Sequence, residues 1–257
     1  MNAASITFGL REIQKTFAPI LEDDAEWIIQ NAVKEVETSK ANFDERQRQT
    51  HDPRLDPEPW GYRIYPEHPL RFKPQAIKGL ILWADVYCLV LWREEGAPPV
   101  KQNLVLRVWS SLENECTYRK EWDSRRVLEE LTSGSRSEDG RVMLRYHFDL
   151  ADPSQQALEY HVQAGGNPRT NELCWFPEAI DLPRLPFPPM DLVLLSQLIA
   201  TNFYWDDYVD FRETAEWISA LRRSQEHLLQ GYYEGCLNAL DQDLLVDHLW
   251  NLPDGND

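Results

Sequence analysis

No stretch of this chain holds eighteen consecutive apolar residues, and its first residues, MNAASITFGLREIQ, lack a basic segment followed by an apolar one. Neither a membrane span nor a secretory leader is therefore expected, and the composition predicts a soluble cytoplasmic protein. Cysteine is scarce. Cys88, Cys116, Cys174 and Cys236 are scattered without a CxxC pair, which argues against zinc fingers and predicts reduced thiols. Cys174 has loop-forming neighbours, but nothing beside it would lower its pKa, so a thiol nucleophile is not expected. Walker, GxGxxG and GxSxG patterns, a Ser-His-Asp order, a deaminase signature and a kinase set are all missing. Gly165-Gly166 stands alone, too short to cradle a phosphate.

Basic residues are also in deficit, 26 Lys and Arg against 43 Asp and Glu, for a formal net charge of −17. The deficit is uneven: residues 1–50 carry −3, residues 51–169 carry −2 and residues 170–257 carry −12. An acidic C-terminal third repels phosphate, so nucleic-acid binding through it is not expected. The densest basic run, Arg119, Lys120, Arg125 and Arg126, is interleaved with Glu121, Asp123, Glu129 and Glu130, the pattern of a salt-laced helix.

What the chain does have is ring surface and hydrophobic content: ten Trp, ten Tyr, nine Phe and 42% hydrophobic residues in 257 positions, enough for a substantial core. Ile13, Phe17, Ile20 and Leu21, then Trp27, Ile28, Val33 and Val36, recur at helical steps around Pro19 and Glu22-Asp23-Asp24, predicting two N-terminal helices with an aspartate capping the second. Residues 42–74, crowded with Pro, Asp and Arg, read as a long loop or a crossing strand with turns. IKGLILWADVYCLVLW reads as two strands with a tight turn at Ala84-Asp85, and QNLVLRVWS as a third. A helix over 121–132 and a flexible excursion follow. The fold expected is α+β: an antiparallel sheet of about five strands, near 79–84, 86–92, 103–110, 142–150 and 157–163, flanked by N-terminal and C-terminal helices. Residues 1–189 would form the α+β core, with the acidic helical region 190–257 packed on it.

The segment Arg141–Gln163 concentrates the chemistry. Val142, Leu144, Tyr146, Phe148 and Leu150 alternate with Met143, Arg145, His147 and Asp149, and the following arm alternates Leu158, Tyr160 and Val162 with Glu159, His161 and Gln163. This is a hairpin pattern. The expected register sets Asp149 opposite Glu159, His147 opposite His161 and Arg145 opposite Gln163. Two imidazoles and two carboxylates on one face suit acid/base catalysis or a divalent metal held by His147 and His161. The plain alternative is a solvated polar sheet face.

Pro183, Pro186, Pro188 and Pro189 read as a rigid connector with Leu182, Leu185 and Phe187 against the sheet. Asp191 should cap a helix whose Leu192, Leu195, Leu198, Ile199 and Phe203 face the core. NFYWDDYVDF offers Phe203, Trp205 and Tyr208 as anchors and Asp206, Asp207 and Asp210 as selective charges for a basic partner; the plain alternative is a helix-helix corner with buried rings and solvated carboxylates. In the helices beyond, Trp217, Leu221, Leu228, Leu237, Leu240, Leu244 and Leu249 are expected to face inward. Two functions remain. One is an acidic accessory subunit that binds a protein partner with a basic surface through its C-terminal third. The other is a hydrolase of the nuclease or phosphodiesterase class using His147, Asp149, Glu159 and His161, with Arg107 or Arg145 polarising a phosphate. A divalent metal belongs only to the second.

Overall fold

The computed structural model describes residues 2–49, 58–77, 80–110, 141–151, 159–165 and 184–241. Two helices precede the sheet, as the periodicity predicts. Helix α1 spans Ala3–Thr16, capped by the Asn2 side chain, which accepts from the Ser5 N–H at 2.8 Å. Helix α2 spans Ala25–Gln49, longer than expected because Phe43 extends the buried stripe of Ile28, Ile29, Ala32, Val33 and Val36. The region 42–74 is therefore part helix, and it also holds β1 (Trp60–Ile64) and β2 (Leu70–Arg71).

The chain continues through β3 (Gln75–Ile77), β4 (Leu80–Trp92), β5 (Lys101–Ser110), β6 (Arg141–Leu150), β7 (Tyr160–Ala164) and β8 (Leu185–Pro186). All pairings are antiparallel, in the order β1-β4-β5-β6-β7-β8, with β2 and β3 also on β4. The class is α+β, and the described residues hold eight strands rather than about five. The tight turn at Ala84-Asp85 does not form. Strand β4 runs straight through it, since Asp85 is paired in register with Arg71 on one side and Arg107 on the other, and neither Ala84 nor Asp85 supplies the backbone freedom of a two-residue turn.

The even-numbered face of the sheet turns toward the helices. Ala84, Val86, Cys88, Val90 and Trp92 of β4, Leu104, Leu106 and Val108 of β5 and Phe148 of β6 are buried in one cluster with Ile13, Ile29 and Val36. Helix α2 is fixed to β1 at Gly61: the Ser39 hydroxyl meets both its N–H and its C=O, at 3.1 and 3.0 Å. A Cβ at Gly61 would come within 2.0 Å of the Val90 carbonyl oxygen, so only glycine fits there.

Helix α3 (Leu192–Phe203) is capped as expected by Asp191, whose Oδ1 accepts from Leu194 N–H at 2.9 Å. Then come α4 (Trp205–Phe211), α5 (Ala215–Ser224), a π-helical turn (Gln225–Gln230) and α6 (Gly231–Asp241). Phe17 ties these to the N-terminus, its ring centroid 4.6 Å from Trp217, 5.1 Å from Phe211 and 6.5 Å from Phe72. Trp217 and Leu228 are buried as predicted, but Leu237 and Leu240 are 61% and 55% exposed. Among the described side chains of α6, Ala239 is the one that is buried, so the expected inward Leu237 and Leu240 face outward. Phe187 packs on Phe148 at 5.2 Å while Leu185 is exposed. The helix expected over 121–132, the excursion after it, Leu182, Leu244, Leu249, Cys116 and Cys174 lie outside the described residues. No described helix is long and apolar enough to cross a membrane.

Candidate functional site

Across the middle of β2, β4, β5, β6 and β7 the odd-numbered residues share the sheet face opposite the helices, and the register arranges them in rows. Arg71, Asp85, Arg107 and Arg145 form one row across β2, β4, β5 and β6. Tyr87, Val105, His147 and Gln163 form the next, and Leu89, Asn103, Asp149 and His161 the one beyond. The middle of this face is buried, although Arg71 at its β2 end is exposed. Asp85 is 1% exposed, and Arg107, Arg145 and His161 are buried with it.

Arg107 and Asp85 form the fixed part of this face. The guanidinium donates from Nε to Oδ1 at 2.6 Å and from Nη2 to Oδ2 at 2.9 Å, and Trp109 Nε1 also donates to Oδ2 at 2.9 Å. Arg107 lies 5.1 Å from the Tyr87 and Trp109 ring centroids, and Trp109 stacks on Trp83 with an interplanar angle of 3°. Burial pushes the Asp85 carboxyl up, opposed by Arg107, by the Trp109 donor and by Arg71. Arg145 Nη2 donates to the Tyr87 hydroxyl at 2.7 Å.

The acid/base residues sit beside this pair, two residues out of the expected register. Asp149 stands opposite His161, His147 opposite Gln163, and Glu159 beyond β7, where its carbonyl accepts from Ala151 N–H at 2.8 Å. A slip of two keeps both faces of the hairpin intact, and it replaces two directly opposed carboxylates, Asp149 and Glu159, with a carboxylate facing an imidazole. Asn103 Nδ2 donates to Asp149 Oδ1 at 2.5 Å. Burial raises the Asp149 carboxyl to about 6, against the Asn103 bond and the charges of Arg184 and Arg145. Burial lowers His147 to about 4, helped by Arg145 and His161 and opposed by a hydrogen bond to the Gly165 backbone. Gly165 takes a φ of +84°, available to glycine without strain, and its N–H returns to the Arg145 carbonyl at 2.8 Å. His147 Nε2 is buried and has no hydrogen-bond partner among the described residues. The Gly165 bond therefore belongs to Nδ1, which leaves Nε2 as the lone-pair atom of a neutral imidazole. The carboxyl thus titrates above the imidazole. Among the described residues no three His, Cys, Asp or Glu side chains converge as a metal-ligand set.

The acidic aromatic segment is a corner between α3 and α4. Tyr204 and Tyr208, one turn apart, are buried; the Tyr204 hydroxyl donates to the Lys73 carbonyl at 2.7 Å and the Tyr208 hydroxyl to Gln197. Tyr208 is thus a buried strut rather than a surface anchor, and Phe203 is half-buried against the core. Trp205 and Val209 are exposed, beside exposed Asp206 and Asp210, and the Arg212 guanidinium lies 5.3 Å from the Trp205 ring. Asp207 accepts from Gln75 at 3.3 Å.

An arginine on a half-buried strand reads as paired with a carboxylate, and Arg107 is, but the sequence did not single out Asp85 as its partner. Each was visible as the single charge in an apolar strand, and two such opposite charges predict a pair once the strands are neighbours. Asn103, Trp83 and Trp109 gave no comparable signal. Cys88 is buried, its thiol pushed up to about 12 by burial, so it is not a nucleophile in the folded state. No family model, curated protein or solved structure matches the chain.

Proposed function

We propose that this protein is an accessory subunit that captures a protein partner with a basic surface through its C-terminal helices. One observation carries the reading. Of the eleven large apolar side chains that stand exposed among the described residues, six lie between Trp205 and Leu240: Trp205, Val209, Ile218, Tyr233, Leu237 and Leu240. They fall in the part of the chain that also holds most of the negative charge. Exposed apolar anchors in a region whose net charge is negative fit a protein interface, where rings supply contact area and charge selects the partner. In α4 the buried tyrosines hold the helix rigid, so little ordering entropy is lost when Trp205 and Val209 are covered.

The test is retention of proteins from extract on immobilised wild type and on Asp206→Asn/Asp207→Asn/Asp210→Asn, at low and high salt. A protein held at low salt, released near 1 M, where screening extends to about 3 Å, and lost from the variant supports the reading. Retention indifferent to both salt and substitution overturns it.

A second reading is favoured by the inverted titration order on the sheet face. Once the buried Nε2 is opened to substrate and water, His147 would take a proton from water as it attacks the phosphorus of a phosphodiester, while protonated Asp149 donates to the departing alcohol oxygen. The products are a phosphomonoester and an alcohol. The row of Arg71, Arg107 and Arg145 against Asp85 gives the face the sign that an anionic substrate needs. Base neutral above about 4 and acid protonated below about 6 predict a bell-shaped rate confined to that interval. Turnover of bis(p-nitrophenyl) phosphate in EDTA, abolished by His147→Asn, is expected on this reading; no turnover at any pH between 4 and 7 rejects it.

A further inference from the structure

Helix α6 is laid on the protein with its larger apolar side outward. Tyr233, Leu237 and Leu240 follow the i, i+4, i+7 spacing and fall within about 60° of helical arc. They are 51%, 61% and 55% exposed. The inner side holds Ala239, which is buried, and Tyr232, whose ring meets Tyr160 edge to face at 6.0 Å. A lone surface helix gains most by turning its larger apolar stripe to the core. Here the small side is spent on the body of the protein and the seam is left open. Such a spacing is what a second helix reads when it lays its own apolar face alongside.

Charge narrows the occupant. From Gln225 to Asp241 the chain carries Glu226, Glu234 and Asp241 and no Lys or Arg. A second copy would bring a chain of net charge −17 against another of −17, and Glu226 and Glu234 of both copies to one seam. An amphipathic helix with Lys or Arg on its flanks meets the opposite sign. We propose that the outward seam of α6 docks a basic amphipathic helix of the partner, with Leu237 at its centre and Tyr233 and Leu240 at its ends. This inference rests on the reading of the C-terminal helices as a partner surface and names the partner's chemistry.

The probe is a fluorescently labelled amphipathic peptide of about three heptads. It carries leucine at the seam positions and lysine on the flanks, and a companion peptide has glutamate in place of lysine. Anisotropy titrations use the full chain, its Leu237→Ser/Leu240→Ser variant and the Asp206→Asn/Asp207→Asn/Asp210→Asn variant. The lysine peptide should bind wild type with an affinity that falls with salt, and the glutamate peptide should not bind. The leucine variant should weaken binding by about tenfold or more, as expected for loss of two central anchors. Both leucines are exposed, so the circular dichroism melt of that variant should match wild type, and a melt that does not match is replaced by the milder Leu237→Ala. Absence of lysine-peptide binding, or binding indifferent to the leucine substitutions, overturns the α6 seam. If the leucine variant abolishes binding while the α4 triple variant is unaffected, the seam stands and the acidic corner is not part of the interface. Sedimentation velocity is the last arm: a dimer of the full chain that Leu237→Ser/Leu240→Ser dissociates makes the occupant a second copy and overturns the basic-helix assignment.

Discussion

Replacing Arg107 with methionine should destabilise the fold more than any surface change. The guanidinium makes two charge-assisted bonds to Asp85, at 2.6 and 2.9 Å, with both side chains almost wholly out of solvent. Bonds to charged groups contribute about 1.5–3 kcal/mol each, and breaking a buried pair from one side costs about 3–5 kcal/mol because the remaining charge is stranded. Among the described residues Trp109 would remain as the hydrogen-bond donor to that carboxylate. At about 2–4 °C per kcal/mol for a chain of this size, the melting midpoint should fall by about 6–20 °C. The damage should also depend on pH. With Arg107 gone, the Asp85 carboxyl, already pushed up by burial, rises further, so the folded state binds a proton the unfolded state does not, and the variant loses stability as pH climbs above about 4. The control is Asp85→Leu/Arg107→Met, which removes both charges and should recover most of the loss. Thermal and urea melts of wild type, single and double variants at pH 5 and pH 8 decide it. A single variant within about 1 kcal/mol of wild type, or a double variant worse than the single, would refute the reasoning.

The acid/base pair gives opposite pH slopes. Burial raises Asp149 to about 6, so its contribution favours the fold at low pH and is lost as pH rises from about 4 toward 6; burial lowers His147 to about 4, so its contribution is present above about 6.5 and lost as pH falls toward 4. The two contributions should therefore offset one another from pH 4 to 6, so that relative to wild type Asp149→Asn should gain stability with rising pH and His147→Asn should lose it, each by on the order of 2 kcal/mol in urea titrations; parallel slopes would contradict the assignment. Gly61→Ala should cost about 3 kcal/mol or more in a urea melt, since its Cβ would fall 2.0 Å from the Val90 carbonyl oxygen, and a loss below about 1 kcal/mol would show that β1 can shift away from β4. Leu195→Ala, at a fully buried position of α3, should cost about 2–5 kcal/mol in the same assay, whereas Leu237→Ala should stay within about 0.5 kcal/mol.

Much of the fold was legible because periodicity is a local property. Alternation in QNLVLRVWS and RVMLRYHFDL marked β5 and β6, Asp191 marked the start of α3, and the helical steps around Pro19 separated α1 from α2. What remained hidden depended on neighbours. An apolar run such as LILWADVYCLVLW has no period to count, so one strand and two look alike until the partners of Asp85 are known. Periodicity in α6 says that Tyr233, Leu237 and Leu240 share a side, but not which way that side turns. The same limit applied to Arg145 and His161: a polar parity reads as solvated, and only the packing shows both buried.

The hairpin register shows how a small ambiguity carries through to chemistry. Sliding β7 by two residues along β6 conserves every inward and outward position, so no count of apolar residues can choose between the two pairings. In the expected register each histidine faces the other and the two carboxylates face each other, an arrangement in which a shared metal or proton would be needed to relieve like charges. In the observed register Asp149 meets His161 and His147 meets the uncharged Gln163. No carboxylate directly faces His147 across the hairpin, while Arg145 and His161 act against its protonation, so burial keeps the ring neutral. Asp149, held by Asn103 and repelled from ionisation by burial, keeps its proton to a higher pH than an exposed aspartate. The inversion that makes these two residues chemically distinctive is thus chiefly a product of burial, and the slip adds to it by leaving His147 without a facing carboxylate.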